Sequence, residues 1–163
     1  MIGIRPATAA DGESLCRIYN HYVAETVVTF DEQPLCGEQM AARLREVAGA
    51  SLPWLLAAQG ADVLGYAHAS KWKGRCAFRY SAEVSVYVRG DSAGRGIGSA
   101  LYRELLALLK ARGLHVAIGG IALPNAASVA LHEKFGFQPI GRFSQVGFKF
   151  GRWIDVGYWQ KIL

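Results

Sequence analysis

The chain has 163 residues, 52% of them hydrophobic and 19% charged, which suits one domain with a substantial core and excludes a disordered polar tail. Its formal charge of +5 is scattered, with loose groups at Lys71, Lys73, Arg75 and Arg79 and at Arg142, Lys149 and Arg152, so no nucleic-acid stripe is expected. There is no apolar run of the roughly 18 residues a membrane span needs, no secretory leader, and no C-x-x-C spacing among Cys16, Cys36 and Cys76; a soluble cytoplasmic protein with no metal, nucleic-acid or membrane partner is expected.

Ile2 to Arg5 reads as a short strand closed by Pro6. Thr8-Ala9-Ala10-Asp11 has the spacing of a capping box, in which a hydroxyl and a carboxylate satisfy free N–H groups at a helix start. Leu15, Ile18, Tyr19 and Tyr22 then form the buried stripe of a first helix. Val27 to Asp31 leaves helical spacing, and Pro34 and Gly37 mark a connection to a second helix with Met40, Leu44 and Val47 inward. Phe30 lies in that connection, where it is either core filler or the lining of a substrate mouth. Trp54 to Ala58 and Val63 to Ser70 read as antiparallel strands around a turn at Gly60-Ala61-Asp62. The segment Lys71 to Tyr80 is dense in cations and aromatics. It is either a solvated connection or a set of cations beside a reacting centre, suited to a carboxylate or phosphinate.

Ser81 to Leu101 organises the rest. Ala82, Val84, Val86 and Val88 alternate with Glu83, Ser85 and Tyr87, as expected for a strand with one apolar and one polar face. A glycine-rich turn follows, Gly94-Arg95-Gly96-Ile97-Gly98, and then Ile97, Leu101, Leu105 and Leu108 recur at helical spacing. Strand, loop and helix in that order aim free N–H groups and the positive end of a helix dipole at one spot, a seat for phosphate, and Arg95 adds a mobile charge. No Lys-Ser/Thr pair follows the last glycine and G-x-G-x-x-G is absent, so a plain structural turn competes with the phosphate reading. The third helix ends near Gly113. Val116 to Ala122 supplies a strand closed by Pro124, and a helix begins near Asn125, with Asn125, Ser128 and His132 along one face and Leu131 and Phe135 on another that packs inward. Gly136 ends it, and Phe137 to Leu163 reads as two closing strands interrupted at Gly151-Arg152. Such an order implies a mixed α/β sheet in a single domain over 1–163.

Gly94 to Ser99, preceded by V-S-V-Y-V and followed by Asn125-Ala126-Ala127-Ser128 and Leu131-His132-Glu133-Lys134-Phe135-Gly136-Phe137, resembles the GNAT N-acetyltransferase family across both of its acetyl-coenzyme A motifs. The resemblance implies a mostly antiparallel central sheet, splayed open between flanking helices, with acetyl-CoA as cosubstrate. It implies that the backbone of Val86, Tyr87 and Val88 pairs with the pantetheine arm and that Gly94, Arg95, Gly96, Ile97, Gly98 and Ser99 hold the pyrophosphate. Asn125 would meet the arm, with Ser128 and Lys134 nearby. Strand geometry agrees: Glu83 stands five residues before Val88, roughly 16 Å at about 3.3 Å per residue, which is comparable to a pantetheine arm.

Acetylation needs a neutral amine, whereas an amino acid arrives protonated. Glu83 is the candidate general base, its pKa raised by partial burial, against the plainer reading of a surface carboxylate. Many members of the family carry a tyrosine at the position of His132 to protonate the departing thiolate; His132 is the second catalytic candidate here, or a packing residue. Tyr19-Asn20-His21-Tyr22, Trp72-Lys73, Ala82-Glu83, Leu131-His132-Glu133 and the tail from Gly147 to Gly157 look like the phosphinothricin and methionine sulfoximine acetyltransferases over nearly the whole chain. This implies transfer to the α-amino group of a small glutamate-like amino acid by direct attack in a ternary complex. It also implies an acceptor pocket of Phe30, Lys73, Arg75, Phe78 and Glu83, and a homodimer joined through the C-terminal strands. Ala93 departs from the family signature, which usually has Gln or Arg there, and predicts a weaker grip on the cofactor. The alternatives are another amine acceptor, such as a protein N-terminus or polyamine, or a non-catalytic acyl-CoA-binding module.

Overall fold

The computed structural model describes residues 1–163, and its seven strands form one sheet in the order β1-β2-β3-β4-β5-β7-β6. In chain order the elements are β1 (Gly3–Pro6), α1 (Gly12–Glu25), α2 (Gly37–Gly49), β2 (Trp54–Gln59), β3 (Asp62–Lys71), β4 (Ser81–Val88), α3 (Ile97–Ala111), β5 (Val116–Leu123), α4 (Ala126–Lys134), β6 (Gln138–Lys149) and β7 (Arg152–Ile162). Only β4 and β5 run parallel, because α3 carries the chain back across the sheet between them. All other neighbours are antiparallel, so the expected mixed, mostly antiparallel sheet is what forms. No helix is long and apolar enough to cross a membrane.

The expected capping box is present, on the 3-10 turn Ala9–Asp11 just before α1, and does more than cap. The Asp11 carboxylate accepts the Thr8 N–H at 2.7 Å and the Thr8 hydroxyl at 3.0 Å, and it holds the Arg5 guanidinium at 2.9 and 2.7 Å. One acid thereby ties β1 to the short 3-10 turn that leads into α1. The Arg5 hydrogen bond is the main reason that its pKa falls to about 2.

Each face of the sheet carries its own core. On one face, α3 presses Leu101, Tyr102, Leu105 and Leu109 against Ala82, Val84, Ala117 and Ile121. On the other, α1 and α2 bring Leu15, Tyr19, Met40 and Leu44 against Trp54, Leu56 and Tyr66. Burying side chains of this size stabilises by roughly 1.5–3 kcal/mol each.

Two expectations are corrected here. The Glu83-Ser85-Tyr87 side of β4 is not a polar face: Tyr87 packs against Tyr19, Tyr22 and Tyr66, each with ring centroids 5.3 Å away. Tyrosine scores as polar in an alternation pattern but supplies a large apolar ring. On α4, Leu131 and Phe135 pack against the core as expected, but the face of Asn125, Ser128 and His132 also turns inward, at His132, which is 3% exposed. The reason lies in β5, where Gly119 has no side chain; a Cβ there would overlap His132 Nε2, so the ring fills the space that the glycine leaves.

Candidate active site

The β4–β5 ladder is short. Ser81, Ala82 and Glu83 pair with Val116, Ala117 and Ile118, and beyond that rung β4 continues only with β3 while β5 continues with β7. Strand twist carries the two strands apart. The Val86-Tyr87-Val88 backbone is therefore left with an open edge along the gap, a ready partner for an extended ligand. One group on it is already engaged, since the Val88 carbonyl accepts the Tyr22 hydroxyl at 2.6 Å.

At the far end of that edge the chain passes through Gly94 (φ 77°) and Gly96 (φ 78°) before α3 begins at Ile97. Both glycines are left-handed, a conformation that costs other residues about 1–2 kcal/mol. The first-turn N–H groups of Ile97, Gly98 and Ser99 have no partner within the helix, and with the dipole behind them they make an anion seat. Lys134, from the end of α4, reaches the same place and donates to Ser99 Oγ at 3.0 Å. Arg95 is exposed and touches Gln59 Oε1 loosely, at 3.5 Å. Ala93 offers no side-chain donor; the Lys134 cation stands at the rim instead. Asn125 is the N-cap of α4, its Oδ1 accepting the Ser128 N–H at 3.1 Å, so only its amide N–H groups remain to donate outward.

Glu83 sits on the last rung before the strands part. It is half-buried, and burial lifts its pKa above the ordinary carboxylate value while Lys73 pulls it down. No hydrogen bond within the chain contributes to that balance. Its Oε1 lies over Gly120 of β5: a Cβ at that glycine would be 3.3 Å from the oxygen and 3.1 Å from the Tyr158 ring. Tyr158 pairs with Gly120 across β5–β7, and its ring stands edge-on to Trp72 at 5.6 Å and Phe143 at 5.8 Å. An aromatic wall thus backs the carboxylate. Tyr158 escaped the sequence reading; the glycine pair Gly119-Gly120 inside an otherwise apolar strand was the signal that something bulky crosses there.

His132 is placed differently. Gly119 and Gly120 point to opposite sides of β5, so His132 and Glu83 lie on opposite faces of the strand. Both ring nitrogens are occupied. Nδ1 faces the Ser128 carbonyl at 2.7 Å and must donate to it, which leaves Nε2 to accept the Tyr102 hydroxyl at 3.0 Å. Burial lowers the pKa of the ring, so it is neutral at pH 7.

The candidates for an acceptor pocket come from three places. Lys73 is on the 71–80 connection and is the cation whose field reaches Glu83; Arg75 and Phe78 stay exposed on the same connection, around a 3-10 turn at Cys76–Phe78. Phe30 is half-exposed on the α1–α2 connection, its ring set against Gly147 of β6, where a Cβ would overlap it. That connection is fastened by a network the sequence did not reveal. The Tyr19 hydroxyl lies 2.6 Å from Thr29 Oγ1 and donates to Asp31 at 2.6 Å, Arg43 donates to Asp31 at 2.7 Å, and Lys149 donates to the Thr26 and Thr29 carbonyls at 2.8 Å each.

An open strand edge that runs from a carboxylate to an anion seat suits a transferase that draws its acyl group from a long phosphate-bearing carrier. Residues 4–157 match the profile of the Acetyltransferase (GNAT) domain, and the chain belongs to that family. It is 39% identical to a phosphinothricin N-acetyltransferase of Streptomyces coelicolor, over 99% of this chain and 96% of the relative. It is 40% identical to an L-methionine sulfoximine/L-methionine sulfone acetyltransferase of Pseudomonas aeruginosa, over 96% and 92%. The crystal structure of a phosphinothricin acetyltransferase from Sinorhizobium meliloti in complex with acetyl-CoA superposes with a TM-score of 0.95 at 36% identity, covering 99% of this chain and 88% of that one.

Proposed function

We propose that this protein transfers acetyl from acetyl-CoA to the α-amino group of a small glutamate-like amino acid, with phosphinothricin and methionine sulfoximine as reference acceptors, by direct attack in a ternary complex. The observation that carries the reading is Glu83: a half-buried carboxylate, free of internal hydrogen bonds, at the point where β4 and β5 diverge. Bound acetyl-CoA supplies the thioester. The free edge of Val86, Tyr87 and Val88, together with the Asn125 amide, suits its arm. The N–H groups of Gly94 to Ser99, with Arg95 and Lys134, suit its pyrophosphate, and Ser128 fixes the cap of α4 beside them.

Glu83 takes the proton that the acceptor's ammonium must lose, directly or through a water, and its raised pKa matches it better to that task. Lys73 and Arg75 face the acidic groups of the acceptor, and Phe30 and Phe78 enclose its aliphatic part. His132, enclosed and neutral, acts as a positioning residue that joins α4 to α3 through Tyr102, not as an exposed acid. Ile140, Phe143, Val146, Phe148, Phe150 and Trp153 are large hydrophobic side chains that stand exposed on the β6–β7 hairpin, and a second copy of the chain is what covers them. Three unbridged cysteines suit work in the cytoplasm.

Thiol release from acetyl-CoA, measured with phosphinothricin, methionine sulfoximine and a panel of amino acids beside a peptide with a free N-terminus and spermidine, tests the reading. Glu83→Gln is expected to lower kcat roughly 100-fold or more, with the affinity for acetyl-CoA unchanged. Turnover of the peptide or of spermidine alone would move the acceptor to another class.

A further inference from the structure

Lys149 ends β6 and is 2% exposed, which is unusual for a lysine. It sits far in sequence from the α1–α2 connection, yet both oxygens it holds, those of Thr26 and Thr29, belong to that connection, which carries Phe30. Thr26 is the C-cap of α1, so the ammonium also stands at the negative end of that helix dipole. Its third contact is the ring of Phe150, with the centroid 5.0 Å from Nζ. No carboxylate bonds it: Asp31, the nearest by charge together with Glu32, is taken by Tyr19 and Arg43. A methionine would fill this volume without the cost of burying a charge. What methionine cannot do is donate to two carbonyls at once.

The same face of β6 makes a second contact with the connection. Gly147, two residues earlier, receives the Phe30 ring. The strand therefore grips residues 26–30 at both ends, by hydrogen bonds from Lys149 and by ring contact at Gly147, while Tyr19 and Arg43 hold Thr29 and Asp31 from the helical side.

We propose that Lys149 is a positioning residue for the acceptor: by clamping the Thr26 and Thr29 carbonyls to β6 it fixes where Phe30 stands, and so sets acceptor affinity from outside the pocket. This rests on the reading of Phe30 as an acceptor contact.

The experiment compares wild type with Lys149→Met, Lys149→Arg and Phe30→Ala, reading acceptor KM, acetyl-CoA affinity and amide hydrogen exchange over residues 26–31. For Lys149→Met the expected outcome is faster exchange confined to that segment and an acceptor KM raised roughly tenfold or more, with acetyl-CoA affinity within about twofold of wild type and the cooperative melt retained. Lys149→Arg, which keeps donors for both carbonyls, recovers part of the KM. Unchanged exchange over 26–31 in Lys149→Met overturns the clamp. If exchange speeds but acceptor KM moves only in Phe30→Ala, the clamp does not govern the acceptor and the proposal fails. If KM moves in neither variant, the assignment of Phe30 to the pocket fails, and the proposal falls with it. Hydrogen exchange needs no substrate, so the two failures are told apart even if the acceptor is misidentified.

Discussion

Glu83 is poised at a cost. Burial raises its folded pKa above the unfolded value, so the protonated form is favoured in the folded state, and the stability associated with that shift is present at low pH and lost as pH rises through the raised pKa. At neutral pH the ionised side chain therefore weakens the fold that it serves. Glu83→Gln is expected to melt at a higher temperature than wild type at pH 7, and the difference should shrink as the pH falls below the raised pKa and vanish below the ordinary carboxylate value, where Glu83 is protonated in both states. Activity follows the opposite sense: kcat/KM should climb with pH as the carboxylate ionises, and this acidic limb should be absent from whatever rate Glu83→Gln retains. Thermal melts and pH–rate profiles on the same two proteins check both. The residue itself was legible in the sequence, because a lone acid in an alternating strand before a glycine-rich turn is a strong local signal. Its wall was not. Tyr158 lies 75 positions away in the chain, 158 against 83, and only the pairing of β5 with β7 brings the two together.

At the scale of elements, β5 shows how two missing side chains create two sites. Gly119 admits the His132 ring on one face, so α4 could not approach as it does over alanine, and on the other face Gly120 leaves room for the Glu83 carboxylate and the Tyr158 ring, which a Cβ would crowd at 3.3 and 3.1 Å. Gly119→Ala is expected to destabilise by about 1–3 kcal/mol through overpacking. A double-mutant cycle with His132→Ala in urea unfolding should recover a good part of that loss, since the clash needs both partners. If the two substitutions simply add, the close approach of ring and strand is not what constrains β5. Element types and order came through in the sequence with end points shifted by a few residues, because heptad-like stripes, the capping box and the glycine stops are local. What stayed hidden was that a second face of α4 turns inward. Leu131 and Phe135 pack against the core as their apolar character requires, but the deepest place goes to His132 because β5 leaves a hole shaped for its ring and Tyr102 offers a hydroxyl.

For the molecule as a whole, the exposed β6–β7 hairpin sets the quaternary expectation. Trp153 is 62% and Phe143 60% exposed, and a monomer would leave them in water beside other large hydrophobics. Sedimentation at micromolar concentration should report twice the mass of the 17.7 kDa chain, and Trp153→Glu should shift it to one. A monomer throughout would mean that the patch serves another purpose. The resemblance pointed to the apolar C-terminal strands as the place where two copies join; which of their side chains stay bare was not legible, because exposure depends on what the rest of the fold covers. The short β4–β5 ladder has a further meaning at this scale. Three rungs are the entire seam between the half-sheet β1–β4 and the half-sheet β5–β7. On the proposed reading, a carrier laid along Val86 to Val88 would act as a borrowed strand that prolongs the seam, so that donor binding would stiffen the joint between the halves as well as load the acetyl group.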